Sequence, residues 1–304
     1  MARILLTGGR GVVGMPLGEE LARRGHQIHI ADLGHSPLPN YTRCDVGEYR
    51  QLERVIKEHK FDYVYHLAGE FGRMNGEHYY ESMWRTNAVG TKNLLKLQEQ
   101  HRFRAIYFSS SEIYGDYPEL MSEDVPDRVP LKQMNDYAIS KWVNELQILN
   151  SAARTGVESV RVRLFNTYGP GETYSEYRSV ICRFAYCALH DMPYTVFESH
   201  HRSFTYIDDC VRTLANIADY FHPGEVYNVS GEEYWSIKQL SDAILTAAGK
   251  DDRYVKYEKV EHLNTLNKKG CAKKSIAHLK HEVRVPLRQG IPKTVAWMKN
   301  FYGK

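Results

Sequence analysis

Hydroxyl side chains and a carboxylate follow an apolar run near the middle of the chain. Residues 106–108 are Ile, Tyr and Phe, as in a core strand, and the next residues are Ser109, Ser110, Ser111 and Glu112. A polar run of this kind, taken alone, indicates a solvated turn. At the end of a buried strand, however, the same groups can hydrogen-bond a substrate and transfer its protons.

A tyrosine and a lysine four residues apart could do related chemistry. Tyr137 and Lys141 lie in NDYAISKW, and this spacing puts both side chains on one face of a predicted helix. A lysine beside a tyrosine favours the phenolate through its positive charge, so Tyr137 could act as a base near neutral pH. The spacing itself is common, and it gains weight only in the right fold.

The elements that must position these residues alternate along the first half of the chain. Predicted strands are RILLTGG, QIHIADL, DYVYHLAG, AIYFSSS and ESVRVRLFN. Between them lie predicted helices, PLGEELARRG, YRQLERVIKEHK, WRTNAVGTKNLLKLQEQH and NDYAISKWVNELQILNSAAR. Alternation of this kind predicts βαβ units with right-handed crossovers. We therefore expect an α/β fold of Rossmann type, a doubly wound parallel sheet.

The regular alternation loosens after residue 166. A loop rich in Gly, Pro and Tyr is followed by a helix near 178–189, a short strand and helix, one more strand (EVYNVSG) and a mostly helical tail. We expect a large nucleotide-binding domain from residues 1–165 plus about 204–230. A smaller C-terminal α/β lobe, residues 166–203 and 231–304, would bind the substrate.

The first strand is followed by a glycine-rich loop, TGGRGVVG, that opens the first helix. Gly8, Gly11 and Gly14 permit a tight turn and close approach of the backbone to a pyrophosphate, which the helix N-terminus attracts. Asp32 ends the second strand, where a carboxylate accepts hydrogen bonds from a ribose and repels a 2′-phosphate. The pattern therefore favours NAD over NADP.

Composition excludes several other classes of protein. The 304 residues are 42% apolar, and the net charge of +3 gives no basic face of the size that nucleic acid requires. The five scattered cysteines have no metal-ligand spacing and predict reduced thiols in the cytoplasm. No segment approaches the length of about 20 apolar residues that spans a membrane, and the start of the chain is not a signal peptide.

Several motifs together resemble the extended short-chain dehydrogenase/reductases, in their NAD-dependent nucleotide-sugar epimerase, dehydratase and decarboxylase group. The motifs occur in order over essentially the whole chain: TGGRGVVG, Asp32, CDV, YHLAG, RTNAVGTKNLL, SSSEIYG, YAISK, RLFNTYGPG and RSFTYIDD. The resemblance implies NAD as cofactor and a nucleotide-diphosphate sugar as substrate. It also implies a homodimer, paired through the helices over 87–101 and 137–153.

The resemblance assigns roles to individual residues. Ser110 would hydrogen-bond the sugar 4-hydroxyl, Tyr137 would take its proton and Lys141 would hold the nicotinamide ribose, with Ser111 and Glu112 beside them. The other positions implied to contact the cofactor are Gly8, Gly11, Val12, Val13, Gly14, Asp32, Asp45, Val46, Leu67, Ala68, Gly69 and Asn87. The positions implied to contact the substrate are Arg73, Asn166, Arg178 and Arg202.

The chain departs from the family pattern at three places. Gly69 stands where relatives more often have Ala, and the segment EFGRMNGEHYY that contains Arg73 is unusual. Where relatives carry a Gly-Asp-Gly turn before the RSF segment, this chain has FESHH, with His200 and His201. Adjacent histidines are more often packing or surface residues than ligands, so we expect no metal site.

The residues beside Ser110 distinguish the reactions of this group. Dehydratases carry an Asp-Glu pair where this chain has Ser111 and Glu112, whereas uronate decarboxylases resemble it, with Ser-Glu here and an Arg comparable to Arg178. We therefore favour decarboxylation of a UDP-glucuronate-type sugar through a 4-keto intermediate. The alternatives are a nucleotide-sugar 4-epimerase or a 3,5-epimerase. A 4,6-dehydratase and a non-catalytic NAD-binding regulator rank below them.

Overall fold

The computed structural model describes residues 1–304. Its strands, in chain order, are β1 (Arg3–Thr7), β2 (Gln27–Asp32), β3 (Tyr41–Arg43), β4 (Tyr63–His66), β5 (Arg104–Ser110), β6 (Leu120–Met121), β7 (Ser159–Leu164), β8 (Thr167–Tyr168), β9 (Tyr194–Phe197), β10 (His201–Ser203), β11 (Thr205–Tyr206), β12 (Val226–Val229), β13 (Tyr234–Ser236), β14 (Val255–Glu258) and β15 (Asn267–Gly270).

Twelve α-helices accompany these strands. They are α1 (Gly14–Arg23), α2 (Tyr49–Glu58), α3 (Arg73–His78), α4 (Tyr80–Trp84), α5 (Gly90–His101), α6 (Val125–Arg128), α7 (Asp136–Thr155), α8 (Val180–Leu189), α9 (Ile207–Asp219), α10 (Ile237–Ala248), α11 (Lys273–Leu279) and α12 (Leu287–Tyr302). A π-helical turn covers Arg85–Val89, and a 3₁₀ turn covers Ser111–Tyr114.

The chain forms two compact units, each built from three segments. The first unit is Met1–Ile113, Asn135–Arg163 and Val211–Tyr227, and the second is Tyr114–Met134, Leu164–Cys210 and Asn228–Lys304. Residues 114–134 and 204–210 thus belong to the second unit, whereas the sequence-based division placed them with the first. The assignment of cofactor binding to one part and sugar binding to the other stays a prediction.

A parallel sheet of seven strands, in the order β12-β7-β5-β4-β1-β2-β3, forms the centre of the fold. The parallel register is β1 on β2, β1 on β4, β2 on β3 and β4 on β5. From β1 the chain winds outward through β2 and β3, and then returns to β4 on the other side. This order is that of the Rossmann fold, so the prediction of a doubly wound sheet is confirmed. Its ligand crevice is expected at the carboxyl ends of β1 and β4.

The buried face of the sheet packs against amphipathic helices. On α2, Leu52, Val55 and Ile56 are buried at helical spacing while Gln51 and Lys57 are exposed. They join one apolar core with residues of the sheet and of α5 and α7, among them Leu5, Val64, Leu94, Leu95, Ala105, Tyr107 and Ile148. Each of these helices therefore has a fixed position against the strands that it follows.

The helix expected over WRTNAVGTKNLLKLQEQH is not uniform. Continuous helical structure runs from α4 to α5, and its middle turn, Arg85–Val89, is π-helical. A π turn has wider backbone spacing and often accompanies a functional side chain. Here it carries Asn87, whose side chain is 1% exposed.

The second unit contains a four-stranded sheet in the order β13-β10-β15-β6. Two parallel pairs, β8–β11 and β9–β14, complete its strands. The helices α8, α10 and α12 pack against one another. The C-terminal tail, expected to be mostly helical, also supplies β14 and β15.

Candidate active site

The glycine loop after β1 has a shape that side chains would obstruct. Gly8 has φ +69°, and a Cβ atom there would lie 2.6 Å from the backbone nitrogen of Ala68. A Cβ on Gly14 would lie 2.6 Å from the Gly8 carbonyl oxygen. The loop can therefore close over the start of α1 only with glycine at both positions. It leaves the N-terminus of α1 open as a cradle for a pyrophosphate.

Asp32 is held beside this loop. Its Oδ2 atom accepts the Arg10 backbone N–H at 2.9 Å, and its Oδ1 atom accepts the Leu33 backbone N–H at 2.7 Å. Each carboxylate oxygen keeps a further lone pair for a ribose hydroxyl. The structure thus puts the loop and Asp32 together at the carboxyl edge of the sheet.

The next cofactor positions of the prediction lie on either side of this edge. Asp45 accepts the Gly47 N–H at 2.8 Å, and Val46 is buried, 4% exposed. Leu67 and Ala68 follow β4, where the Leu67 N–H donates to the Thr7 carbonyl at 3.0 Å. Their contacts with a cofactor stay predictions.

Gly69 faces two polar side chains. A Cβ atom at Gly69 would lie 3.0 Å from Asn87 Oδ1 and 3.3 Å from Lys141 Nζ. The Asn87 amide nitrogen donates to the Glu70 carbonyl and to Ser140 Oγ, each at 3.0 Å, whereas its buried Oδ1 atom has no hydrogen-bond partner. A buried oxygen without a donor is costly. A bound dinucleotide fits here, since its ribose hydroxyls could donate to it.

The catalytic candidates gather where β5 ends. Ser110 is the last residue of β5, and its Oγ atom accepts the Glu112 N–H at 3.2 Å, which begins the 3₁₀ turn. The side chain of Tyr137 hydrogen-bonds Ser110. Lys141, one turn further along α7, donates from Nζ to the Phe108 carbonyl at 2.9 Å. The structure therefore brings Ser110, Glu112, Tyr137 and Lys141 together.

Burial decides the protonation of this group. It raises the pKa of Tyr137 to about 12, an effect that the Ser110 hydrogen bond opposes and the Glu112 carboxylate reinforces. Burial also lowers the pKa of Lys141 to about 8. The expectation that the Tyr137 phenolate is favoured by Lys141 stays a prediction. Its ammonium nitrogen lies 5.9 Å from the centre of the Tyr137 ring and is directed to a carbonyl.

Below these residues lies a buried carboxylate that the sequence analysis missed. Glu145, fully buried on α7, accepts the Ser109 hydroxyl at 2.6 Å. Arg163 donates to the Glu145 carboxylate through Nε at 2.9 Å and Nη2 at 2.8 Å, and Arg161 donates at 3.1 Å. Burial would raise the pKa of Glu145, but the two arginines and Ser109 outweigh it and hold the pKa below its ordinary value. The sequence signal that could have identified Glu145 is its spacing, since it follows Lys141 by the same four residues that separate Lys141 from Tyr137.

Arg73 lies on α3, which packs directly on the first turn of α7. A Cβ atom on Gly76 would lie 3.2 Å from the backbone nitrogen of Tyr137. The Glu77 carboxylate accepts the Asp136 N–H at 3.2 Å. The unusual segment after β4 therefore supports the start of α7, the helix that carries Tyr137, and a substrate contact from Arg73 stays a prediction.

The remaining predicted substrate residues belong to the second unit. Asn166 has φ +31° and donates from Nδ2 to the Ser203 carbonyl at 2.9 Å, and Arg178 is half-buried just before α8. Arg202 is 5% exposed, and its guanidinium donates to the Leu266 carbonyl at 2.8 Å and to Asn264 Oδ1 at 3.0 Å. These bonds orient Arg202. The substrate contacts of all three residues stay predictions.

The two adjacent histidines differ from each other. His200 is buried, its Nε2 atom accepts the Glu261 N–H at 2.9 Å, and its Nδ1 atom lies 3.0 Å from the Thr265 carbonyl. Burial and then the Arg202 charge lower the pKa of His200. The ring of His201 stacks on Tyr234, with centroids 5.5 Å apart. Both rings thus make packing and hydrogen-bond contacts within their own unit.

Comparison with known proteins defines the class. Residues 4–230 match the NAD dependent epimerase/dehydratase family. A UDP-N-acetyl-alpha-D-glucosaminuronate decarboxylase of Bacillus cytotoxicus is 30% identical, with 98% of each chain covered. The UDP-glucuronic acid decarboxylase 1 of Arabidopsis thaliana is 26% identical over 98% of this chain and 70% of that protein. The chain therefore belongs to the NAD dependent epimerase/dehydratase family, as its motifs predicted.

Solved structures agree with this fold. The UDP-glucose 4-epimerase of Thermus thermophilus, solved with NAD, superimposes with a TM-score of 0.87 at 24% identity, covering 98% of this chain and 99% of that one. NAD is the cofactor of the family, and the glycine loop, Asp32 and the open Asn87 oxygen fit it. No helix of the chain combines the length and apolar character needed to cross a bilayer.

Proposed function

We propose that the protein is an NAD-dependent decarboxylase of a nucleotide-linked hexuronate, of the UDP-glucuronate type, that works through a transient 4-keto sugar. The observation that carries this proposal is the position of Glu112. The 3₁₀ turn after β5 holds it beside Ser110 and close enough to Tyr137 for its charge to raise the phenol's pKa. The names of the two curated relatives, both decarboxylases of uronates, support it.

The residues of the site divide the work as follows. Bound NAD supplies a reversible hydride acceptor for C4 of the sugar. Ser110 hydrogen-bonds the 4-hydroxyl, and the phenol oxygen of Tyr137 receives its proton. A pKa of about 12 keeps Tyr137 protonated at neutral pH. For Tyr137 to take the proton of the 4-hydroxyl, a positive charge must therefore come close to the ring and lower the pKa of the phenol.

A ketone at C4 makes the C5 carboxylate part of a β-keto acid, which loses CO2 without further oxidation. C5 must then receive a proton in place of the carboxylate. To give a pentose, C4 must also regain the hydride that it lost, and its oxygen must regain the proton that Tyr137 received. Glu112 is placed to orient the sugar ring or to deliver the proton to C5. The proposal thus gives a chemical task to a carboxylate that otherwise only adds negative charge beside an anionic substrate.

A nucleotide-sugar 4-epimerase is the second candidate. Ser110, Tyr137 and Lys141 are sufficient for oxidation and reduction at C4. The Glu112 carboxylate would also repel the carboxylate of a uronate, which favours a neutral hexose. The two candidates differ in their product, a pentose in the first case and a C4-inverted hexose in the second.

The test is a substrate panel. Purified protein with NAD is given UDP-glucuronate, UDP-N-acetylglucosaminuronate, UDP-glucose and UDP-N-acetylglucosamine, and products are identified by mass spectrometry and NMR. We expect CO2 release and a UDP-pentose from one of the uronates. Inversion at C4 of a neutral sugar, with both uronates untouched, would establish the epimerase instead.

We further propose that the protein is a homodimer that works in the cytoplasm. Apolar side chains are exposed on neighbouring helical surfaces of the first unit, where Val89 is 48% exposed, Leu146 48% and Leu149 43%. Such a patch supports an interface with a second copy. All five cysteines are free thiols, which suits a reducing compartment.

A further inference from the structure

Arg178 stands at the end of an irregular loop, residues 172–178, that leads from β8 into α8. Several residues of this loop are exposed, among them Thr173, Ser175 and Glu176. Within it, the Arg178 N–H donates to the Ser175 carbonyl at 3.1 Å, which closes one turn. A largely exposed loop opens easily unless other groups hold it. The contacts that hold this loop therefore decide how steadily Arg178 is presented.

Glu172 joins the start of the loop to its end. The side chain is 6% exposed, and its carboxylate accepts the Ser179 N–H at 3.1 Å and the Ser179 hydroxyl at 2.6 Å. Ser179 in turn caps α8, since its Oγ atom accepts the Cys182 N–H at 3.3 Å. The Cys182 thiol also donates to the Glu172 carbonyl at 3.4 Å. One buried carboxylate thus fixes the residue that directly follows Arg178.

The carboxylate of Glu172 also acts on Arg178 through charge. Burial raises the pKa of Glu172, whereas its hydrogen bonds with Ser179 and the positive charge of Arg178 oppose that rise. The two charged groups therefore lie within electrostatic reach of each other. Their attraction favours those positions of the Arg178 guanidinium that are close to Glu172.

Tyr302, the last residue of α12, holds the middle of the loop. Its hydroxyl accepts the Tyr174 N–H at 2.9 Å. The ring of Tyr174 stacks on that of Tyr186 with centroids 3.8 Å apart, and Tyr186 stacks on His190 at 3.9 Å. The Tyr302 ring meets Tyr186 edge-on at 5.0 Å. Four rings thus tie the loop to α8 and to the end of α12, all within the second unit.

We propose that Glu172 and Tyr302 are positioning residues, which hold the loop of residues 172–178 so that Arg178 binds an acidic sugar. A guanidinium forms two parallel hydrogen bonds with a carboxylate only when its plane is oriented, so the affinity for a uronate depends on how firmly the loop is held. Neither positioning residue has to touch the sugar. This role rests on the proposed function, because the sugar carboxylate is the group that Arg178 would bind. The end of the chain thus takes part in the choice of substrate.

Titration calorimetry measures the effect on the sugar separately from the effect on the nucleotide. The protein carries Tyr137→Phe and is loaded with NAD, so that UDP-glucuronate is not converted during the titration. Tyr302→Phe keeps the ring and removes the acceptor of the Tyr174 N–H. We expect it to weaken UDP-glucuronate about three- to tenfold, the usual effect of one hydrogen bond, and UDP less than about twofold. Tyr254→Phe, which changes an exposed tyrosine of the same unit, is the control.

Glu172 is tested with a pair of variants. Glu172→Ala removes both bonds to Ser179 and should weaken UDP-glucuronate at least about tenfold. Glu172→Gln keeps an acceptor for the Ser179 N–H and should recover part of that loss.

A double-mutant cycle shows whether the effect passes through Arg178. In an Arg178→Ala background, Tyr302→Phe should change UDP-glucuronate binding less than about twofold, since the group that it positions is gone. An equal loss in both backgrounds, or an equal loss of UDP-glucuronate and UDP, would overturn the inference.

Trypsin tests the loop without any substrate, because it cleaves after Arg178. The bond between Arg178 and Ser179 should be cleaved at least about threefold faster in Tyr302→Phe and in Glu172→Ala than in the Tyr254→Phe control, since cleavage requires the loop to open. Mass spectrometry identifies this cut by the fragments 1–178 and 179–304. Unchanged cleavage in both variants would also overturn the inference. Faster cleavage in a protein that neither binds nor converts a uronate would refute the proposed function and leave the hold of Glu172 and Tyr302 on the loop standing.

Discussion

Tyr137 is a weaker acid than an exposed tyrosine, although the proposed function assigns it the role of a base. Burial around the phenol raises its pKa to about 12, and the hydrogen bond with Ser110 only partly offsets this. In the proposed function, this phenol oxygen takes the proton from a sugar hydroxyl that Ser110 hydrogen-bonds. Its value to catalysis therefore depends on position, and on the charge that arrives with the bound molecules.

Replacing Tyr137 with Phe should lower turnover by about 10²- to 10⁴-fold, since a positioned acid or base contributes about that much. Cofactor binding should change little because the ring remains. Steady-state kinetics and calorimetry measure the two effects, with Tyr79→Phe, an exposed tyrosine of the same unit, as the control. Near-normal turnover in Tyr137→Phe would show that the reaction occurs elsewhere.

Glu112 can be tested with a variant of almost the same shape. Glu112→Gln keeps the size of the side chain and its capacity for hydrogen bonds, but glutamine cannot act as an acid or a base. Turnover on the substrate should therefore fall by at least about 10²-fold. Binding of NAD and of the nucleotide should be nearly unchanged. Under the proposed decarboxylation, the unmodified protein should introduce deuterium from deuterated water at C5 of the product. Full activity of the Gln variant, with a product inverted only at C4, would show that Glu112 takes no part in the reaction.

At the scale of elements, Glu145 links α7 to the strands β5 and β7. It lies on α7 and binds Ser109 of β5 as well as Arg161 and Arg163 of β7. Arg163 is 2% exposed, and its guanidinium makes two hydrogen bonds to the Glu145 carboxylate. Ser109 directly precedes Ser110, and Glu145 lies two turns after Tyr137 on α7. The bond between Ser109 and Glu145 therefore helps to fix the position of Ser110 relative to Tyr137.

Removing one partner of a buried pair leaves the other charge uncompensated, which costs about 3–5 kcal/mol. We expect Glu145→Ala to lower the free energy of unfolding in urea by about this amount. The control is Glu158→Ala, which breaks the half-exposed pair with Arg104 at the opposite end of the strands and should cost about 0–1 kcal/mol. Equal losses in the two variants would contradict the role assigned to Glu145.

The elements near the cofactor could be predicted because each has a local signal. Glycine spacing, an acid at a strand end and a four-residue helical spacing are all visible in one sequence. The π turn at Arg85–Val89 has no such local signal in the sequence. The orientation of Lys141 toward the Phe108 carbonyl also could not be read from its distance to Tyr137 along the chain.

The second unit was harder to predict for a different reason. Strands such as β6 and β8 have two residues each, too few for any alternation of apolar and polar side chains. Their pairing partners are far away in sequence, as when β6 pairs with β15. Only long-range packing defines such strands.

At the scale of the whole molecule, an exposed apolar face of α7 favours the association of two copies of the chain. The exposed residues Ile139, Leu146 and Leu149 follow one another on α7 at positions that share a face. Burying such a surface in a second copy would remove it from water. Light scattering at micromolar concentration should therefore give the mass of a dimer, and Leu146→Glu/Leu149→Glu should give a monomer.

A matched control is available on another exposed apolar residue. Phe301 is 56% exposed on α12 of the second unit, and Phe301→Glu should leave the dimer intact. A monomer mass for the unmodified protein would rule out the proposed assembly. Dissociation by Phe301→Glu alone would move the interface to the other unit.

The order of strands in the second unit also governs how the protein can be made. Its four-stranded sheet places β15, residues 267–270, between β10 and β6, residues 120–121. On the ribosome, where chains grow at about 5–20 residues per second, β6 emerges roughly seven to thirty seconds before the strand that pairs with it. Residues 114–134 therefore wait without their sheet while much of the first unit is already available to fold. A nascent chain that stalls before Asn267 therefore leaves both backbone edges of β6 without the strand that pairs with it.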